Sequence, residues 1–151
     1  MISKPRFSSD PYILYVEDLP INVFLMGKMF EQVPHLRLVV ATCGEEAWEK
    51  VQEEPPGFLM LDLNLPDCHG VDLLRRLRTK SGCRDLSAVA VTAENNFHVE
   101  GTGFLEVWPK PLHMPWTLSR LEHFTQTTGH FHDSGHRVPM SSQHSSLRMT
   151  A

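Results

Sequence analysis

Glu17, Asp18, Asp62, Thr92 and Lys110 each follow a short apolar run, and together they offer three carboxylates, a hydroxyl and an ammonium. Three carboxylates brought close together cannot all ionise comfortably unless a cation joins them. Oxygen-only ligands select a hard ion, so Mg²⁺, or Mn²⁺ in its place, outranks zinc and copper. A carboxylate is also a nucleophile toward phosphorus and forms an acyl phosphate when nearby cations absorb charge on the transferring group. Asp62 is the best-placed nucleophile. Mg²⁺ and Lys110 would neutralise phosphoryl oxygens, and the Thr92 hydroxyl would hydrogen-bond another. Taken singly, each of these residues has a plainer use: Asp62 as a turn former or cap, Thr92 as a strand end, Lys110 as a solvated charge, and Glu17 and Asp18 as charges at the start of a helix. The set carries the argument.

These residues need a frame that brings strand ends together. Five apolar runs, Tyr12 to Val16, Leu36 to Ala41, Phe58 to Leu61, Ala88 to Val91 and Leu105 to Trp108, are nearly continuous rather than alternating, as strands buried on both faces require. Amphipathic stretches at Ile21 to Phe30, Gly44 to Gln52, Val71 to Arg78 and Pro115 to Phe124 predict helices between and after them. Alternating strand and helix gives an α/β, doubly wound five-stranded parallel sheet. In such a sheet ligands bind outside the carboxyl ends of the strands, which is where the five chemical residues fall. The other apolar residues, Trp48 and Trp116 included, are assigned to core and helix packing.

A chain of 151 residues, 41% hydrophobic and 21% charged, suits one domain with tails. Residues 1–10 read as a flexible lead, 11–125 as the domain and 126–151 as a polar, His- and Ser-rich disordered tail. A net charge of −4 and a pI near 6.1 argue against binding nucleic acid through phosphate neutralisation. No apolar run is long enough to span a bilayer and the start lacks a secretory core, so a cytoplasmic protein without membrane contact is expected. Cys43, Cys68 and Cys83 form no C-x-x-C pair and read as reduced thiols. In the tail, His130, His132, His136 and His144 would give only weak metal sites unless folding arranged them.

Tyr15-Val16-Glu17-Asp18-Leu19-Pro20-Ile21-Asn22, Ala41-Thr42-Cys43-Gly44-Glu45-Glu46-Ala47, Leu61-Asp62-Leu63-Asn64-Leu65-Pro66-Asp67-Cys68-His69-Gly70, Val91-Thr92-Ala93 and Lys110-Pro111 occur in that order. As a set they resemble the receiver domains of two-component response regulators, over roughly Tyr12 to Phe124. The first and third blocks look most like receivers attached to or partnered with hybrid histidine kinases. The resemblance implies a flavodoxin-like strand order 2-1-3-4-5 and a cis Lys110–Pro111 bond. It makes Asp62 the phosphoacceptor, with Asp18, Asp62 and the main-chain oxygen of Asn64 ligating Mg²⁺ and Glu17 acting through water. Thr92 and Lys110 become the switch hydroxyl and the phosphoryl-binding lysine. The implied partners are a histidine kinase or histidine phosphotransfer protein and a downstream protein target, with a homodimer compatible with the pattern. The expected function is phosphorelay signal transduction by conformational change, not enzymatic turnover beyond weak autophosphatase activity.

Two departures stand out. From Thr92 to Lys110 is 110 − 92 = 18 positions, about four fewer than the family's usual interval, or roughly one helical turn. Asn95-Asn96-Phe97-His98-Val99-Glu100-Gly101-Thr102-Gly103 is poor helix material, so the fourth helix is expected to be shortened or missing. Val107 also stands where the family commonly has the aromatic that swings inward on phosphorylation. Output through the usual face is therefore not assumed. The 151 − 124 = 27 residues after Phe124 are too few and too polar for an output module, so a stand-alone receiver is the leading expectation. The alternatives are a degenerate receiver acting as a phosphorylation-independent scaffold and a Mg²⁺-dependent aspartyl-phosphate phosphatase. The latter is disfavoured because Asn64 replaces the carboxylate that would protonate a leaving group.

Overall fold

The computed structural model describes residues 11–127. Five strands, β1 (Tyr12–Val16), β2 (Arg37–Ala41), β3 (Phe58–Asp62), β4 (Ala88–Thr92) and β5 (Glu106–Pro109), form one parallel sheet in the order β2-β1-β3-β4-β5. This is the strand order expected from the sequence. The helices are α1 (Pro20–Phe30), α2 (Gly44–Glu53), α3 (Gly70–Leu77) and α4 (Met114–Thr127).

Side chains of a strand alternate between its faces, so each strand feeds two cores. Leu14, Val16, Leu59, Leu61, Ala88 and Ala90 pack with Ala47 and Val51 of α2 and Leu73, Leu74 and Leu77 of α3. Ile13, Tyr15, Phe58, Met60, Val89 and Val91 pack on the other face with Met26, Met29 and Phe30 of α1 and Leu121 and Phe124 of α4. Trp48 lies against the first core with the Arg76 guanidinium 4.5 Å over its ring. Trp116 does not join a core. It stands 41% exposed, edge-on to the fully buried Trp108, because its helix turns it outward over the end of β5.

The span between β4 and β5 contains turns and no helix, so the fourth helix of the expected pattern is lost outright. Gly101 and Gly103 take φ of 72° and 89°, left-handed values that favour glycine and interrupt a helix. Phe97 and Phe104 meet edge-on at 6.0 Å, and with Val99 they cover the first core where that helix would lie. The last helix runs to Thr127, with Thr125 buried and its hydroxyl donating to the Leu121 carbonyl at 2.8 Å. The lead over 1–10 and the tail from 128, with its four histidines, lie outside the described residues. No helix among the described residues is long and apolar enough to cross a membrane.

Candidate functional site

Sheet register builds the site. Val16 pairs with Leu61, Asp62 with Val91 and Thr92 with Pro109, so Glu17, Asp62, Thr92 and Lys110 step along one edge at or just beyond the ends of β1, β3, β4 and β5. The Lys110 amide donates to the Thr92 carbonyl at 2.9 Å, and the Lys110–Pro111 bond is cis, as the sequence implies.

Lys110 lies between two carboxylates, its Nζ 2.6 Å from Glu17 Oε2 and 3.0 Å from Asp62 Oδ2. Glu17 is fully buried. Its Oε1 accepts from the Leu19 amide at 3.1 Å and its Oε2 also accepts from the Tyr15 hydroxyl at 3.2 Å. Burial acts to raise the Glu17 pKa, but the Lys110 ammonium, the Leu19 amide and the Asn22 side chain outweigh it and hold the group below the usual 4.5. Asp62 goes the other way. Burial pushes its pKa above the usual 3.8, only partly offset by the Asn64 amide at 3.1 Å and by Lys110, with the Glu17 charge adding to the rise. Burial would lower the Lys110 pKa, yet its bonds to Glu17 and Asp62 leave it raised.

Carboxylate oxygens of Glu17, Asp18 and Asp62 all lie within 4.8 Å of one another. Three negative charges against one lysine leave −3 + 1 = −2 in a mostly buried corner, the charge a divalent cation balances. Asp18 is half-buried and faces, with Asn64, Pro66, Cys68 and His69, an open cleft of about 390 Å³. An all-oxygen set with open access fits Mg²⁺, which keeps several waters.

The loop after β3 is tied down on both sides. Gly70 N–H donates to the Leu63 carbonyl at 2.8 Å, and Asn64 bridges to His69. Asp67 accepts from the Gly44 and Glu45 amides at 2.8 and 2.9 Å, which caps α2 and holds Asp67 below the usual carboxylate range. Across the mouth, Asn64 Nδ2 donates to Glu94 Oε1 at 2.8 Å, and the Glu94 amide donates to the buried Thr92 hydroxyl at 3.0 Å.

All the residues read from the sequence, Glu17, Asp18, Asp62, Asn64, Thr92 and Lys110, thus come to one edge. Two polar partners were not anticipated. Tyr15 could have been found as the one of the two tyrosines of β1 that stands two positions before Glu17 and so on its side. Glu94 stands two after Thr92 in a segment without periodicity, which gives no such signal.

A family model described as the response regulator receiver domain matches residues 13–111. The chain belongs to this family. As a receiver domain of two-component signalling, it is 29% identical over 119 residues to the aerobic respiration control sensor protein ArcB of Escherichia coli strain K12, covering 76% of this chain and 15% of ArcB. It is 32% identical over 101 residues to a protein-glutamate methylesterase/protein-glutamine glutaminase of Burkholderia lata, covering 64% of this chain and 30% of that protein. The receiver domain therefore spans under a third of the length of these two relatives. Among solved structures, a sensor protein from Polaromonas sp. JS666 superposes with a TM-score of 0.67 at 29% identity, covering 78% of this chain and 98% of that one. Vibrio cholerae chemotaxis protein CheY4 superposes at 0.70 and 18% identity over 76% of this chain and 98% of its own, a likeness of fold.

Proposed function

We propose that this receiver domain accepts a phosphoryl group on Asp62 from a phosphohistidine of a histidine kinase or histidine phosphotransfer protein, and signals by a change in its surface contacts. The observation that carries this reading is the Lys110 ammonium 3.0 Å from Asp62 Oδ2 within a cluster of three carboxylates. A bound Mg²⁺, held by Asp18, Asp62 and the main-chain oxygen of Asn64 with Glu17 behind it through water, would supply charge neutralisation for the phosphoryl oxygens.

The chain's own residues do the rest. An Asp62 carboxylate oxygen attacks phosphorus, the N–P bond of the donor breaks, and its electron pair stays on the imidazole nitrogen, which takes a proton from solvent. Lys110 follows the new charge onto a phosphoryl oxygen. Thr92 already accepts from the Glu94 amide, so its hydroxyl proton is free to be donated to another. Cys43, Cys68 and Cys83 are free thiols, which supports a reducing, cytoplasmic setting.

Incubation with a radiolabelled phosphohistidine donor and Mg²⁺ tests the proposal. Wild-type protein should take up label in a base-labile bond and Asp62→Asn should take up none. Equal labelling of Asp62→Asn refutes the assignment, and an unlabelled wild type favours the phosphorylation-independent scaffold.

A further inference from the structure

Tyr15 is one of the largest fully buried side chains of the protein, yet it carries a hydroxyl, whereas Ile13, its neighbour on the same face of β1, is hydrocarbon. That hydroxyl donates to Glu17 Oε2, the oxygen that Lys110 holds at 2.6 Å. We propose that Tyr15 is a positioning residue for phosphoryl transfer, which keeps Glu17 hydrogen-bonded when Lys110 leaves it for the phosphoryl group. The inference rests on Asp62 being the phosphoacceptor.

A phosphoryl group on Asp62 places its oxygens farther out than Oδ2, and Lys110 Nζ moves away from Glu17 to reach them. Glu17 has no solvent exposure, so an oxygen that loses the lysine there has no bulk water to replace it and depends on its remaining fixed donors. Oε1 keeps the Leu19 amide. Of the two donors on Oε2, Lys110 and Tyr15, Tyr15 is the one that stays, and the Asn22 side chain is a further donor to the same carboxylate. By sharing that oxygen, Tyr15 also weakens the grip of Glu17 on the lysine beforehand. A cavity of about 60 Å³, lined by Tyr15, Asn22, Met26, Met29, Lys110 and Pro111, adjoins both side chains.

Tyr15→Phe removes the hydroxyl and leaves the ring. Its phosphorylation by acetyl phosphate at saturating Mg²⁺ should slow about tenfold to a hundredfold, the worth of one hydrogen bond to a charged group. Its Mg²⁺ dissociation constant, read by titration without any phosphodonor, should stay within about twofold of wild type. In a Lys110→Met background no lysine has to depart, so adding Tyr15→Phe should leave the residual rate unchanged. An unchanged rate in Tyr15→Phe overturns the proposal. So does an equal loss in the Lys110→Met background, a parallel loss of Mg²⁺ affinity, or a Tyr15→Phe protein that fails to fold. A wild type that takes no phosphoryl group overturns the acceptor reading and this one with it; a phosphorylated wild type with an indifferent Tyr15→Phe overturns this one alone.

Discussion

Gly70→Ala should damage the fold and the site together, because the first residue of α3 touches the backbone of the acceptor residue. A methyl at Gly70 would lie 2.5 Å from the Asp62 carbonyl oxygen and 2.9 Å from Leu63 Cα, where unstrained contacts sit at about 3.5 Å. The two segments would have to part by about 1 Å. Neither yields easily, since both contacts are main chain and the Gly70 amide is bonded to the Leu63 carbonyl at 2.8 Å. Overpacking of this kind costs about 1–3 kcal/mol. Gly27→Ala is the matched control: a methyl there meets nothing within 4 Å in the middle of α1, so it should stabilise by about 0.5–1 kcal/mol through helix propensity alone. Urea unfolding followed by tryptophan fluorescence should place the two variants on opposite sides of wild type. Acetyl phosphate labelling of folded Gly70→Ala should be slower by about tenfold or more, since displacing a reacting group by 1 Å can cost about a hundredfold. A Gly70→Ala protein as stable as wild type and labelled at the same rate would refute the reasoning.

Four further outcomes follow from the site. Mg²⁺ at ten times its dissociation constant should stabilise the protein by about 1.4 kcal/mol, measured by thermal unfolding at fixed ionic strength, and Asp62→Asn should abolish most of that response. In metal-free protein Asp62→Asn should itself be more stable than wild type at neutral pH. The pKa of Asp62 is raised in the fold, so its ionised form opposes folding above the folded value, and the advantage of Asn should vanish below the unfolded 3.8; urea titrations at pH 7 and pH 3.5 check the sign. Glu17 has the opposite sign, being lowered: its contribution is present above 4.5 and is lost as pH falls through its folded value, so Glu17→Gln should be less stable than wild type at pH 7 and converge with it in acid. Beryllofluoride with Mg²⁺, as a phosphoryl mimic, should change amide hydrogen exchange in residues 93–105 more than in α2, and protection changes confined to α2 would contradict that.

The strands and the acceptor cluster were legible because both are written in local pattern. Five apolar runs with both faces buried predict a parallel sheet, and the polar residue ending each run marks the ligand edge before any contact is known. Asp62 and Lys110 are 48 residues apart, yet each announces itself beside its own strand. The lost helix was also legible, through Asn95, Asn96, Gly101 and Gly103. What the pattern could not carry was partnership. That Tyr15 reaches Glu17, or that Glu94 closes on Asn64, depends on rotamers and on the spacing of neighbouring strand ends, neither of which leaves a periodic trace. Trp116 shows the same limit: it packs from its helix edge-on against Trp108, yet its helix leaves it 41% exposed rather than in a core.

The two halves of the domain are held by different forces, and this explains how one can keep its pattern while the other departs from it. Glu17, Asp62, Thr92 and Lys110 sit on strand ends whose positions are fixed by ladder register and by two cores packed beneath them, so a shift of any one disturbs its neighbours. Residues 93–105 are anchored differently. They leave the sheet at Thr92 and return at Leu105, whose amide bonds the Ala88 carbonyl at 2.9 Å, and between these points the Phe97–Phe104 contact and the Val99 side chain supply the cover that a helix would give. A helix moves as a body and carries its whole face with it; a chain of turns with two left-handed glycines rearranges residue by residue. Glu94 joins the two regimes, since it touches both Thr92 and Asn64 at the site and begins the turn segment. Glu94 is thus the point of contact between the site and residues 93–105, which border a groove of about 560 Å³ lined by Phe97, Val99, Val107, Trp116 and Arg120 beside β5.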